Sequence, residues 1–241
     1  MTTCVITGYG INADLELAEA FRQAGSKVER VHINDLIAQP DRLQAYRIIG
    51  FPGGFSFGDH LGSGLVFAGL FKRHLKPALD DFVAAGGLIL GICNGFQVLV
   101  KMGVLPNFDG NWGPTVSLIH NENGTFEDSW VRVAEEPDSR CVWTTGMGEL
   151  DLPIRNGEGR FITASPAIYD RLVADRLIAL TYSGRNPNGS QGSVAGITDT
   201  TGRILGLMPH PEAYLYPENH PEWLRGDGLT LFRNGVAEAR N

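Results

Sequence analysis

Leu88-Ile89-Leu90-Gly91-Ile92-Cys93-Asn94-Gly95-Phe96-Gln97-Val98-Leu99-Val100 is the stretch from which the fold is read. Its first half is a short apolar run after Gly86-Gly87, the pattern of a buried strand, and its second half sets Phe96, Leu99 and Val100 at helical spacing. Between them stands G-x-C-x-G. A nucleophile held in a sharp strand-to-helix turn has a strained backbone, so its neighbours must be small, and its side chain stands clear at the sheet edge. The N–H groups that open the helix point to the same spot, where they favour a thiolate and offer the Asn94 N–H to an oxyanion. A cysteine in a tight turn is often plain packing. The two flanking glycines and the strand before them favour the nucleophile here.

On the N-terminal side, residues 4–7 read as a strand, and the loop Gly8-Tyr9-Gly10-Ile11-Asn12 leads into a helix with Leu17, Phe21 and Ala24 on one face, capped by Asn12 or Asp14 and ended by Gly25. Residues 28–33 and 47–51 read as further strands. This alternation of strand and helix predicts an α/β protein with an open, mostly parallel twisted sheet flanked by helices. Pro52 is followed by Gly53-Gly54-Phe55-Ser56-Phe57-Gly58-Asp59 at the carboxyl end of a strand, the edge where open α/β sheets bind ligands. Ser56 and Asp59 read as caps of the next helix. Residues 65–75 and 77–85 are expected to be helical, with Pro77 opening the second.

On the C-terminal side the pattern changes to short strands and turns. Asn123-Gly124 is read as a hairpin joining strands 116–119 and 130–133, with another strand at 149–154. Residues 169–174 read as a short helix, residues 194–197 and 204–208 as a hairpin around Thr201-Gly202, and residues 227–237 as a closing helix. These are taken as an antiparallel extension of the same sheet, so residues 1–241 are read as a single domain.

Composition narrows the function. Twenty basic against 27 acidic residues give a net charge of -7, and no basic run offsets it, which argues against a nucleic-acid surface. No leader pattern opens the chain and no apolar stretch approaches the ~18 residues of a membrane span, so a cytoplasmic protein is expected. Cys4, Cys93 and Cys141 are scattered and odd in number, which predicts neither a metal site nor a disulfide framework. Asn123-Gly124-Thr125 and Asn188-Gly189-Ser190 are read as turns.

Near the C-terminus stands Pro209-His210-Pro211-Glu212. In an extended segment, side chains two apart project to one side, so Glu212 can hold His210. A carboxylate on one imidazole nitrogen fixes the tautomer and leaves the other nitrogen to move a proton. The order nucleophile, histidine, acid differs from that of the α/β-hydrolases, where the acid comes second.

Gly91-Ile92-Cys93-Asn94-Gly95-Phe96-Gln97 with Pro209-His210-Pro211-Glu212 resembles the class I (triad) glutamine amidotransferases. The 52–59 loop, Gly157-Glu158-Gly159, Pro187-Asn188-Gly189-Ser190, Ala195-Gly196-Ile197 and Asp227-Gly228 are similar to those of glutaminase subunits of phosphoribosylformylglycinamidine synthases. The chain departs from that pattern at Ser129, where an Arg is usual, at Asn156 for His, and at Ala213 for Arg.

The resemblance and the residues converge on amide hydrolysis. Cys93 is expected to attack the glutamine side-chain amide, His210 to move the proton and Glu212 to orient His210, through a cysteinyl thioester. The N–H groups of Asn94 and Gly54, the latter beside Gly53 in the glycine-rich loop, are the expected oxyanion donors. Gln97, one turn beyond Cys93, is implied by the resemblance as a substrate contact, with a solvated helix residue as the alternative, and Glu158 is implied to lie nearby. The chain has no phosphate-cradling motif, so it is expected to carry no cofactor or metal itself. The resemblance implies ATP and Mg on a synthetase partner, and a small accessory subunit beside it. A stand-alone glutaminase, a Cys hydrolase of another amide or ester, and a non-catalytic regulatory subunit are the rival readings.

Overall fold

The computed structural model describes residues 1–223 and 228–240. The N-terminal half runs β1 (Thr2–Thr7), α1 (Asp14–Gln23), β2 (Lys27–His32), α2 (Ile33–Ala38), β3 (Ile48–Phe51), α3 (Leu65–His74), α4 (Lys76–Ala84), β4 (Leu88–Ile92) and α5 (Asn94–Met102). The C-terminal half adds β5 (Val116–Ile119), β6 (Glu127–Glu135), β7 (Glu149–Asn156), β8 (Arg160–Thr163), α6 (Pro166–Ala174), β9 (Ile178–Tyr182), β10 (Val194–Thr198), β11 (Ile204–Leu207) and α7 (Leu229–Glu238). Residue 227, at which the closing helix and the Asp227-Gly228 pair were expected to begin, lies outside the described residues.

Nine strands form one sheet in the order β2-β1-β3-β4-β11-β10-β9-β6-β7. The first five are mutually parallel, and each later pairing is antiparallel. β4 lies between β3 and β11 and all five of its residues are buried, as the all-apolar run of a central parallel strand requires. β2, at the edge, exposes Lys27, Glu29 and Arg30, charges that blunt an open edge. The expected 194–208 hairpin is present as β10–β11, with Asp199 accepting from the N–H groups of Thr201, Arg203 and Ile204 in its turn.

The structure corrects three local expectations. The 116–119 and 130–133 segments do not pair: β5 joins β8 in a separate two-stranded sheet, while β6 pairs β7 and β9. Asn123-Gly124 does turn the chain, Gly124 with φ 69° donating to the Asn121 carbonyl at 2.9 Å. The long β6–β7 ladder, from Glu127↔Asn156 to Ala134↔Glu149, outcompetes the four-residue pairing that β5 offers. Neither Asn12 nor Asp14 caps α1, whose first turn is stitched to the glycine-rich loop by the Asn12 and Ala13 N–H groups on the Gly53 carbonyl, at 3.4 and 3.3 Å. Asp14 instead takes Arg30 at 2.8 Å. Ser56 and Asp59 do not cap α3 either: Asp59 accepts from the N–H of Gly64, the residue before it, and the Ser56 hydroxyl is buried without a partner. No helix among the described residues is long and apolar enough to cross a membrane.

Candidate active site

Three adjacent parallel strands end side by side and deliver the candidate residues to one edge. β4 runs into Cys93, β3 into Pro52-Gly53-Gly54, and β11 into Met208-Pro209-His210. The Cys93 N–H donates to the Leu207 carbonyl at 2.8 Å, so the candidate nucleophile's backbone is tied to the strand that carries the histidine. Cys93 has φ 52° and ψ -106°, outside the regions comfortable for an L-residue, as a nucleophile turn requires. The turn closes because Gly95 has no side chain: a Cβ there would collide with the Phe51 carbonyl of β3.

His210 and Glu212 are buried at 3% and 2% exposure, and His210 Nδ1 lies 2.6 Å from Glu212 Oε1. The other ring nitrogen, Nε2, is buried with no partner at hydrogen-bond geometry among the described residues, and the ionisable group beside the ring is Cys93. Burial pulls the imidazole pKa down, but the Glu212 carboxylate and the Cys93 sulfur more than offset it and raise it from 6.5 to about 10. His210 therefore holds a proton at neutral pH, beside the Cys93 sulfur. Cys4 and Cys141 are fully enclosed, and burial pushes their thiols up to about 12 and about 11, so neither is poised as a nucleophile.

Gly53 packs against the ring: a Cβ there would sit 2.9 Å from His210 Cε1 and 3.6 Å from Cys93 Cβ. Gly54, at φ 146°, faces Ile11 in an isolated bridge whose hydrogen bonds run through its neighbours, Phe55 N–H to the Gly10 carbonyl and Asn12 N–H to Gly53. Its own N–H is left out of that pairing, and the Asn94 N–H, first in α5, has no intrahelical acceptor. Among the described residues neither N–H has an acceptor, which leaves both available as candidate oxyanion donors.

Gln97 is buried, not solvated. Its Nε2 donates to the Glu158 carbonyl at 2.7 Å and its Oε1 accepts from Asn94 Nδ2 at 2.9 Å, which ties α5 to the Gly157-Glu158-Gly159 turn. A cleft of about 200 Å3 opens beside Cys93, bounded by Gln97, Asp59, Glu158, Phe55 and Arg155. Larger hollows exist, such as one of about 360 Å3 near Leu65 and Val116, but no cysteine lines them.

Sequence reasoning missed two contributors. β7 closes the site from the antiparallel half: the Pro153 carbonyl accepts the His210 N–H at 2.8 Å, and the Arg155 carbonyl lies 3.7 Å from Cys93 Sγ. Behind the 157–159 turn, three buried asparagines interlock, Asn188 Nδ2 donating to Asn121 Oδ1 at 2.8 Å and to Asn156 Oδ1 at 2.7 Å. Asn121 Oδ1 also accepts the Gly159 N–H at 2.9 Å. Asn156 thus belongs to the scaffold of the turn. At Ser129, the Arg185 guanidinium donates to the hydroxyl and pairs with Glu127.

The pattern of the CobB/CobQ-like glutamine amidotransferase domain matches residues 1–237. The phosphoribosylformylglycinamidine synthase subunit PurQ of Dehalococcoides mccartyi is 41% identical over 99% of this chain and 97% of its own. That of Methanococcus maripaludis is 44% identical over 91% of this chain and 84% of its own. Among solved structures, that of PurLQS from Thermotoga maritima superposes with a TM-score of 0.76 at 28% identity, covering 98% of this chain and 97% of its own.

Proposed function

This chain belongs to the CobB/CobQ-like glutamine amidotransferase family, and from that premise we propose that Cys93, His210 and Glu212 make it the glutaminase subunit of a phosphoribosylformylglycinamidine synthase in purine biosynthesis. Near full-length similarity to PurQ subunits carries the pathway. The observation that carries the chemistry is the buried His210–Glu212 pair at 2.6 Å beside a cysteine held at φ 52°.

In this reading, the proton that His210 carries to the amide is the one that the Cys93 thiol gives up. The Cys93 sulfur attacks the side-chain amide carbon of glutamine, and the N–H groups of Gly54 and Asn94 meet the oxygen as it gains charge. Losing one such donor typically costs ~3 kcal/mol in the barrier. His210 passes its proton to the amide nitrogen, the C–N bond breaks and ammonia leaves a glutamyl thioester on Cys93. His210 then takes a proton from water as the hydroxyl adds to the thioester, and returns it to sulfur as glutamate departs. Glu212 keeps the ring oriented throughout.

Ammonia goes to a synthetase subunit, with a small accessory subunit in the complex, a reading supported by the likeness to PurLQS. ATP and Mg act on the synthetase, and the complex works in the cytoplasm. The test is to assay ammonia release from glutamine by the parent and by Cys93→Ala, with ester substrates alongside. Loss in the variant and preference for glutamine support the reading; a Cys93→Ala chain that releases ammonia at the parent rate refutes it.

A further inference from the structure

Arg155 is the one Arg or Lys bordering the two hollows that flank Cys93, and it stands on exposed β7 surface. Among the described residues its guanidinium has no hydrogen bond or ion pair; Asp128, its cross-strand neighbour on β6, is not within ion-pair distance. Every other Arg on β6 or β7 or in the 182–190 segment is paired: Arg132 with Asp151, Arg185 with Glu127. The same cleft is lined by Asp59 and Glu158, neither of them in an ion pair among the described residues. Burial raises the Asp59 carboxyl, hydrogen bonds from Gly64 and Ser63 lower it, and the Glu158 charge raises it again.

A cleft lined by an unpaired guanidinium and two carboxylates matches a zwitterion. Guanidinium forks are suited to carboxylates in two-point contact, and a carboxylate pair is relieved by an ammonium. A free amino acid carries both groups at one end, and the glutamine side chain is long enough to set its amide carbon toward Cys93. A glutamine within a polypeptide carries neither. Resting on the function proposed above, we infer that Arg155 is a specificity-determining residue that binds the α-carboxylate of free L-glutamine, with Asp59 and Glu158 on the ammonium side. Peptide-bound glutamine and simple amides are then excluded by what they lack, not by size.

Calorimetric binding to the full chain carrying Cys93→Ala tests this without turnover. Arg155→Met in that background should weaken L-glutamine about 10- to 100-fold, the worth of a hydrogen-bonded charge pair, and leave 4-aminobutanamide, which lacks the carboxylate, unchanged. Arg155→Lys should recover part of the loss. Equal weakening of both ligands, or no weakening of glutamine, overturns the inference. The function proposed above fails by a different readout: Arg155-dependent binding by a chain that, with Cys93 intact, releases no ammonia alone or with the synthetase would refute hydrolysis and leave this inference standing.

Discussion

At Cys93 the backbone stores strain that only the surrounding structure can hold. A residue with a Cβ at φ 52° and ψ -106° carries a cost on the order of 1–3 kcal/mol. Cys93→Ala should therefore abolish ammonia release yet stay folded, because it keeps the same cost. Cys93→Gly should be equally inactive but more stable than Cys93→Ala by about 1 kcal/mol or more in urea denaturation; equal stabilities would show that the turn is unstrained. Cys141→Ser should leave activity near the parent value. His210 gives a pH dependence with a definite sign. Its pKa is raised by folding from 6.5 to about 10, so the stabilisation it brings is complete below about pH 6.5 and is lost as pH rises toward 10. Glu212→Gln removes the charge that raises it. Melting temperatures from pH 6 to 10 should fall less steeply in that variant than in the parent, and its turnover should drop. Parallel curves would assign the shift to another group.

The elements around the cysteine meet at close quarters, and this sets their tolerance. α5 approaches β3 so nearly that Gly95 abuts the Phe51 carbonyl. Gly95→Ala should cost about 1–3 kcal/mol and displace the turn, which urea unfolding and a glutaminase assay would read together. The asparagine cluster behind the 157–159 turn is a second such point. Asn188→Ala leaves Asn156 Oδ1 without its donor in the interior, whereas Asn121 Oδ1 keeps the Gly159 N–H, at about 1–3 kcal/mol for the unsatisfied group. Its activity should fall with its stability, since Glu158 hangs on that turn and Gln97 on Glu158. A stable Asn188→Ala with slow turnover would separate positioning from folding. Strands and helices such as these were largely legible locally. β4, α5 and the β10–β11 hairpin follow from apolar period and turn residues, whereas the β5–β6 hairpin was misread because its turn signal is real but says nothing about which ladder is longer.

Taken as a whole, the molecule places its candidate nucleophile at one end of the sheet, and free ammonia is soon lost to water as ammonium. A subunit that supplies a synthetase is expected to be slow alone, and coupling of ~1 to 3 kcal/mol would raise glutamine hydrolysis roughly 5- to 150-fold when the synthetase and its nucleotide bind. Full activity of the isolated chain, unresponsive to the synthetase, would argue for an independent glutaminase. Two irregular segments, 107–115 and 215–223, differ in how much aromatic surface they expose. Trp112 of the 107–115 segment is buried, with Lys76 Nζ 4.4 Å from its ring centroid, whereas Trp223 and Tyr216 of the 215–223 segment are 66% and 50% exposed. Trp223→Ala should reduce the stimulation and spare the basal rate, measured with and without the synthetase.

What the sequence determined by itself was local: a strand-to-helix turn needing glycine on both sides of Cys93, a glycine-rich loop at a strand end, and a histidine two residues from a glutamate. Each depends on backbone preferences within a few residues, and each is readable there. The tertiary structure alone decided how far the antiparallel half travels. In a flat sheet, β7 would lie five strand spacings, about 24 Å, from β4, yet its Arg155 carbonyl is 3.7 Å from Cys93 Sγ. The sheet curls until its last strand covers its own active edge, bringing Pro153 to His210 and an unpaired guanidinium to the cleft. That curl is the sum of strand twist and of which distant faces bury each other, and no short stretch of chain encodes either.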